Sequence, residues 1–214
     1  MVQFLDPLLI MALAFNFVAL GVSRIRAVIN AVALQGLLLG FIPLFIHPSI
    51  DFRGIVLVAV TITLKGIVIP AFLVHAMRGA NIQHEVSPVV NFMSSLLLAA
   101  VGTGLAIAFS YTLPMADNEV TDSLLVPVAL STVWAGFLML TTRKKAIMQV
   151  LGYLLLENGI FLFGLLLLDA IPFLVEVGVL LDLFTAVFVM GIIIHHISRE
   201  FSSISTEHLS ELKD

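Results

Sequence analysis

Two consecutive apolar runs hold acids at the depth where a bilayer would have its centre. Ala146–Asp169, AIMQVLGYLLLENGIFLFGLLLLD, carries Glu157 at its middle, and Pro172–Ile197, PFLVEVGVLLDLFTAVFVMGIIIHHI, carries Glu176 and Asp182. A charge at the bilayer centre costs about 2.5–3.5 kcal/mol on insertion scales, so it persists only with a partner, a proton or a water-filled cavity around it. Acids in two neighbouring spans therefore point to a proton path. A third central charge, Lys65, sits in the run Gly54–Met77.

Depth follows from counting, because a helix rises about 1.5 Å per residue. Glu157 lies twelve residues from Lys145, Asp182 ten from Pro172 and fifteen from Ile197, and Lys65 eleven from Gly54 and twelve from Met77. All three fall near the midplane. Glu176 lies toward the outer surface, and His195 and His196 lie at the cytoplasmic mouth. Burial favours the neutral form of a carboxyl and a nearby ammonium favours its anion, so movement of one charge switches the protonation of the other. Packed helices lie about 8–10 Å apart, which leaves acids on adjacent helices within one or two waters of each other.

Each residue also has a structural reading. Glu157 is then a neutral acid hydrogen-bonded to Tyr153, one turn away, or to a neighbouring helix, and Asp182 is similar. Lys65 is then half of a static ion pair with one of these acids. Adjacent residues on a helix point about 100° apart, so His195 and His196 make an interfacial pair and not a chelate.

The surroundings of these residues are those of a membrane. Of 214 residues 60% are hydrophobic and 11% charged, and the mean hydropathy is +1.15. No soluble domain of this size hides so much apolar surface, so the fold class expected is an all-α integral membrane protein. The absence of Cys removes disulfides, thiolate metal sites and iron–sulfur ligation. A net charge of −4, with the basic residues scattered in short loops, excludes nucleic-acid binding. There is no zinc, flavin, haem or phosphate-binding motif, so no cofactor is expected. The N-terminus, MVQFLDPLLIMALAF, lacks a basic leader and carries Asp6 and Pro7, which reads as a retained span and not a cleaved signal.

At about 20 residues per span the chain predicts seven transmembrane helices: Leu5–Val22, Ala27–Ile46, Gly54–Met77, Val89–Tyr111, Leu124–Thr141, Ala146–Leu168 and Pro172–Ile197. Arg24, Arg26, Arg78, Arg143, Lys144, Lys145, Arg199 and Lys213 fall on one side and Arg53 alone on the other. Eight to one is a positive-inside bias, which sets the N-terminus outside and the C-terminus in the cytoplasm. The acidic loop Pro114–Asp122 then lies outside, and the polar tail Ser198–Asp214 is a cytoplasmic strap or a frayed end.

The spans also match one another. AVINAVALQGLLLG and AIMQVLGYLLLENG share a basic lead, an amide at the fourth place (Asn30, Gln149) and a closing glycine (Gly40, Gly159), with Leu38 where the second has Glu157. Helices one to three are then a degenerate copy of helices five to seven, running the same way, a match loose enough for Leu-rich composition alone to produce. This divides the chain into residues 1–112, with helix four as a linker, 123–197, and the tail 198–214. Gly36 and Gly40 have the small-xxx-small spacing that lets another helix approach. Pro43, Pro70 and Pro127 are expected to bend their helices and free carbonyls.

The central glutamate of LLLENGIF, a second mid-membrane acid in the next helix and a tail ending SELKD resemble subunit K of respiratory complex I and its Mrp-antiporter relatives. The likeness covers Leu124–Asp214, and with the additional N-terminal helices the whole chain resembles the hydrogenase-4 component E family of formate-hydrogenlyase-type complexes. That resemblance implies a subunit K fold for the last three helices and a non-catalytic membrane subunit beside antiporter-like subunits. The [NiFe] and iron–sulfur chemistry would belong to a peripheral arm. It also implies that Glu157 matches the family's first glutamate, while the second position offers Asp182 at the right depth and Glu176 nearer the outside. Glu157 and Asp182 are then expected to carry protons, Lys65 to tune or extend the path, and His195 or His196 to serve the cytoplasmic entrance. A component of a cation/proton antiporter or NADH–quinone oxidoreductase-like complex, and a non-conducting scaffold, are the alternatives.

The orientation is testable in a chain without native cysteine. A cysteine at Thr121 should react with an impermeant thiol reagent added outside intact cells and one at Ser203 should not; the reverse labelling overturns the assignment.

Overall fold

In hydrocarbon each backbone N–H and C=O must find its partner within its own segment, so apolar runs of this length fold as helices. The computed structural model describes residues 5–46, 52–79, 86, 88–113, 124–165 and 191. Apart from Gly191, the predicted seventh helix with Glu176, Asp182, His195 and His196, the acidic loop and the polar tail lie outside the described residues.

The helices are α1 (Leu5–Gly21), α2 (Ile25–Phe41), the short α3 (Pro43–Ile46), α4 (Phe52–Thr63), a π-helical turn (Leu64–Val68), α5 (Ile69–Gly79), α6 (Phe92–Ser110), α7 (Leu125–Thr142) and α8 (Ala146–Leu165). No strand occurs among the described residues, where Pro88 and Arg143 form one isolated antiparallel bridge. Among the described residues five segments are long and apolar enough to cross a membrane: Ile25–Phe45, Val58–His75, Phe92–Ser110, Leu125–Thr142 and Ala146–Leu165. The shorter apolar helix α1 has 17 residues and spans about 25 Å at the helical rise.

The prolines act differently from one another. At Pro43 the helix breaks and restarts, with the Ile42 amide turning back to the Leu39 carbonyl at 3.1 Å. Pro70 follows the π turn. Its ring would collide with the carbonyl one turn earlier, and the wider π turn gives that carbonyl room. Pro127 does not bend α7, contrary to the sequence expectation. It is the third residue of that helix, where the missing N–H has no intrahelical acceptor to lose.

Two hairpins make the centre of the bundle. α1–α2 and α7–α8 each turn on three residues, 22–24 and 143–145, and α1 packs on α7 while α2 packs on α8. α4, the π turn and α5 form one rod against α2, and α6 lies on α7 and α1. Both ends of the α1·α7 pair are tied. Asp6 accepts a hydrogen bond from the Leu124 amide at 3.2 Å, and Arg143 donates through one guanidinium nitrogen to the Leu20 carbonyl at 2.7 Å. The two helices therefore run parallel, and so do α2 and α8.

α7 and α8 approach backbone to backbone. A Cβ at Gly136 would stand 2.5 Å from the Leu156 amide nitrogen, and one at Gly159 would stand 2.5 Å from that of Val133. Any side chain there forces the helices apart. The expected approach at Gly36 and Gly40 is made by the α4–α5 rod, with Lys65 Cβ and Ile62 against these two glycines. The glycines that close the matched segments thus have different neighbours, Ile62 for Gly40 and Val133 for Gly159, and Asn30 and Gln149 are both exposed.

The basic residues follow the helix ends. The turns at 22–24 and 143–145 meet through Arg143, and Val86 and Val89 bond to the carbonyls of Ser23 and Thr142 at the same end. Arg143 is 2% exposed, with its guanidinium 4.9 Å from the centre of the Phe92 ring. Burial lowers its pKa from that of an exposed guanidinium. Arg24, Arg26, Arg78, Lys144 and Lys145 belong to this end also, whereas Arg53 begins α4 at the other.

Candidate functional site

Two apolar cores fill the bundle. One, toward the basic end, contains Leu20, Val28, Val32, Leu73, Met148 and Leu151; the other, toward the opposite end, contains Leu9, Leu39, Val128 and Leu162. Between them lies a polar layer. Asn16 of α1, Gln35 of α2, Lys65 of the π turn, Thr132 of α7 and Asn158 of α8 are all buried, none more than 7% exposed.

The layer is one hydrogen-bonded chain. Lys65 Nζ donates to Asn158 Oδ1 at 3.2 Å, Asn158 Nδ2 to Gln35 Oε1 at 3.2 Å, and Gln35 Nε2 to Asn16 Oδ1 at 2.8 Å. Asn16 Nδ2 then donates to Thr132 Oγ1 at 2.9 Å, and that hydroxyl donates to the Val128 carbonyl at 2.7 Å. The other Gln35 amide hydrogen goes to the Ala12 carbonyl at 3.0 Å.

The direction of this chain is forced from both ends. A carbonyl can only accept, so Ala12 and Val128 set the amide nitrogen of Gln35 and the hydroxyl of Thr132 as donors; an ammonium can only donate, so Lys65 meets the oxygen of Asn158. Every dipole then points its negative end toward Lys65. Aligned bonds polarise one another in a low-dielectric interior, and here their acceptor ends all face the lysine.

Magnitudes decide whether the lysine can stay there. Its insertion cost is about 2.5–3.5 kcal/mol. One charge-assisted hydrogen bond offsets about 1.5–3 kcal/mol, and the Phe161 ring, whose centre lies 5.3 Å from Nζ, adds up to about 2 kcal/mol when desolvated. These two contacts alone are of the size of that cost.

Glu157 is 3% exposed. It precedes Asn158 by one residue and Phe161 by four, so Lys65 contacts the residues one and four places after it along α8. Tyr153, one turn earlier, is half-buried. The structure thus brings Lys65 to the part of α8 that carries Glu157. Glu176, Asp182, His195 and His196 are not among the described residues.

The amides were missed by a reading that searched for charges. Each interrupts an apolar run, as Asn16 does in ALAFNFVAL, Gln35 in AVALQGLLLG and Asn158 in LENGIF. A neutral amide without a partner costs several kcal/mol in hydrocarbon, so the insertion argument applied to charges would have found them. The amides that marked the internal match, Asn30 and Gln149, are on the outside instead.

A helical bundle long and apolar enough for a bilayer, with a polar chain buried in its core, defines a polytopic membrane protein with a buried ionisable site. An uncharacterised protein of Mycobacterium tuberculosis is 34% identical over 194 residues, 89% of this chain and 87% of that protein. Hydrogenase-4 component E of Escherichia coli is 30% identical over 153 residues, 70% of this chain and 68% of that protein, and its Shigella flexneri counterpart matches equally. The chain belongs to the hydrogenase-4 component E family. No family model and no solved structure matches it.

Sharing of bonds makes a quantitative expectation. Gln35→Leu leaves groups on Asn16 and Asn158 unpaired, takes a second donor from the Ala12 carbonyl, and should destabilise the protein by about 1–3 kcal/mol. Once Gln35 is gone, Asn16→Leu removes a group already partly orphaned, so the double variant should cost less than the sum of the singles. Strict additivity in thermal unfolding of the purified protein would show that the chain does not act as a unit.

Proposed function

We propose that this chain is a membrane subunit of a proton-translocating, group 4 [NiFe]-hydrogenase-like complex, and that Glu157 and Lys65 belong to its proton pathway. Family membership supports the complex. The observation that supports the pathway is the Lys65–Asn158 bond, which brings a cation to the residue beside a buried acid at the same depth.

The chemistry required is that of a carboxyl whose protonation answers to a nearby charge. Lys65 approaching Glu157 favours release of its proton, and Lys65 withdrawn favours uptake. The amides neither take nor give a proton at ordinary pH, so their part is to hold Lys65 at one depth and one side of α8. In this reading Asp182 receives or supplies the proton on the following helix, with Tyr153 and Glu176 as neighbours along the route, and His195 or His196 serves the cytoplasmic entrance. Antiporter-like subunits sit beside the chain in the membrane, and the [NiFe] and iron–sulfur chemistry belongs to a peripheral arm. The basic end faces the cytoplasm by the positive-inside bias.

A scaffold reading has one observation in its favour, the amide chain that ties α8, α2, α1 and α7 together through side chains that carry no proton. The two readings part at Glu157. Glu157→Gln keeps size and hydrogen bonding, so the complex should assemble while coupled proton movement falls by roughly an order of magnitude or more. Glu157→Asp keeps the acid on a side chain shorter by one methylene, which water can bridge, and should retain more. The measurement is redox turnover with simultaneous proton movement in sealed vesicles. Parent-like translocation by Glu157→Gln would leave the scaffold.

A further inference from the structure

A cleft of about 10 Å³ of water-accessible space opens beside Lys65 and Asn158, close to what one water needs. Its walls lie on one side only. On α2 they are Ile29, Val32 and Gly36, on α5 Leu73, and on α8 Leu151. Each of these stands level with Lys65 or between it and the basic end, because α2 and α8 begin there and α5 finishes there. From Asn158 to Leu151, or from Lys65 to Leu73, the helical rise gives about 10–12 Å. The cleft therefore lies level with the polar layer and on its basic-end side, and not on the other.

The inner end of this cleft is polar and the rest is dry. Lys65 and Asn158 supply an ammonium and an amide, and Pro70, also in the wall, has no N–H, so a carbonyl in the turn before it lacks its helical donor. Beyond Leu73 and Leu151 the remaining distance to the basic end belongs to Ile25, Met77 and Met148, all within the same buried cluster. Methionine has three rotatable bonds and adapts to irregular space, so these two seal without locking. A narrow apolar segment of this kind conducts when wet and blocks when dry.

We propose that the cleft is a water-binding site and that Lys65 exchanges with the aqueous phase at the basic end through it, between α2, α5 and α8, with Met77 and Met148 as the seal. The π turn contributes to opening. It can relax toward α-helix and rotate Leu73 relative to Lys65. The inference rests on the proton-path reading for its purpose, but access and transport are measured separately.

The chain has no cysteine, so single thiols report access directly. Leu73 and Leu39 are 2% and 1% exposed, but only Leu73 lines the cleft, and Leu39 lies on the other side of the polar layer. Silver ion is small enough to follow water, and thiol remaining after exposure is counted with a maleimide in denaturant. In vesicles carrying the complex, silver at the basic end should consume the thiol of Leu73→Cys roughly tenfold faster than that of Leu39→Cys, reflecting the opened population. Silver at the opposite face should not. Ala33→Cys, in the same wall, should follow Leu73→Cys and stands in for it where assembly suffers. Equal rates for the two leucine positions, or faster reaction from the opposite face, overturn the proposal. If labelling fails while Glu157→Gln abolishes translocation, the path stands and its entrance lies elsewhere. If labelling succeeds while Glu157→Gln translocates normally, the cleft is wet but carries no relay.

Discussion

The structure depends on keeping one ammonium in the middle of a membrane bundle. Lys65 cannot reach the surface, since it lies thirteen residues from one end of its rod and fourteen from the other, and snorkelling serves only residues near a helix end. It must be met where it is. Asn158 meets it, Gln35 orients Asn158, Asn16 and Thr132 orient Gln35, and each of these comes from a different helix. The polar layer consequently fixes the register of four helices against the rod, with an apolar core above and another below. Close packing follows the same need. Gly36 is small because the stem of Lys65 passes over it.

Much of this was legible in the residues. Six of the seven segments predicted are helical over nearly the bounds expected, because apolar run length is a strong signal in a bilayer protein. Lys65 and Glu157 stood out by charge, and equal depth followed from counting. Gly36 and Gly40 announced a close helix contact, but not that its partner would be the lysine-bearing span. The chain of amides was not recovered, because the insertion argument was applied to charges alone and the pairing of the amides is set by which helices become neighbours. Pro127 was misread for a local reason: a proline has no effect on the ladder when it falls in the first helical turn. The π turn at Lys65 had a trace in Pro70, five residues later, yet its place depends on packing against α2.

Function divides along the same line. Membership of the hydrogenase-4 component E family belongs to the whole sequence, while the chemistry proposed here rests on one contact between the rod and α8. In the proposed reading, the buried ammonium and the buried acid on facing helices make a site where a small displacement would shift a proton, while the bonds aligned toward the ammonium hold it in place. The parallel course of α1 with α7 and of α2 with α8 allows this, since it sets the midpoints of four helices at one level.

Asn158 is where the account is most exposed, because it joins Lys65 to the polar chain without itself carrying a proton. The decisive measurement is the number of protons moved per electron pair by the assembled complex bearing Asn158→Leu, compared with the parent at equal subunit content. If Lys65 works from a position held by this amide, the variant assembles and its proton yield falls. An unchanged yield would contradict the central claim, since proton movement would then be independent of the contact on which the site is built.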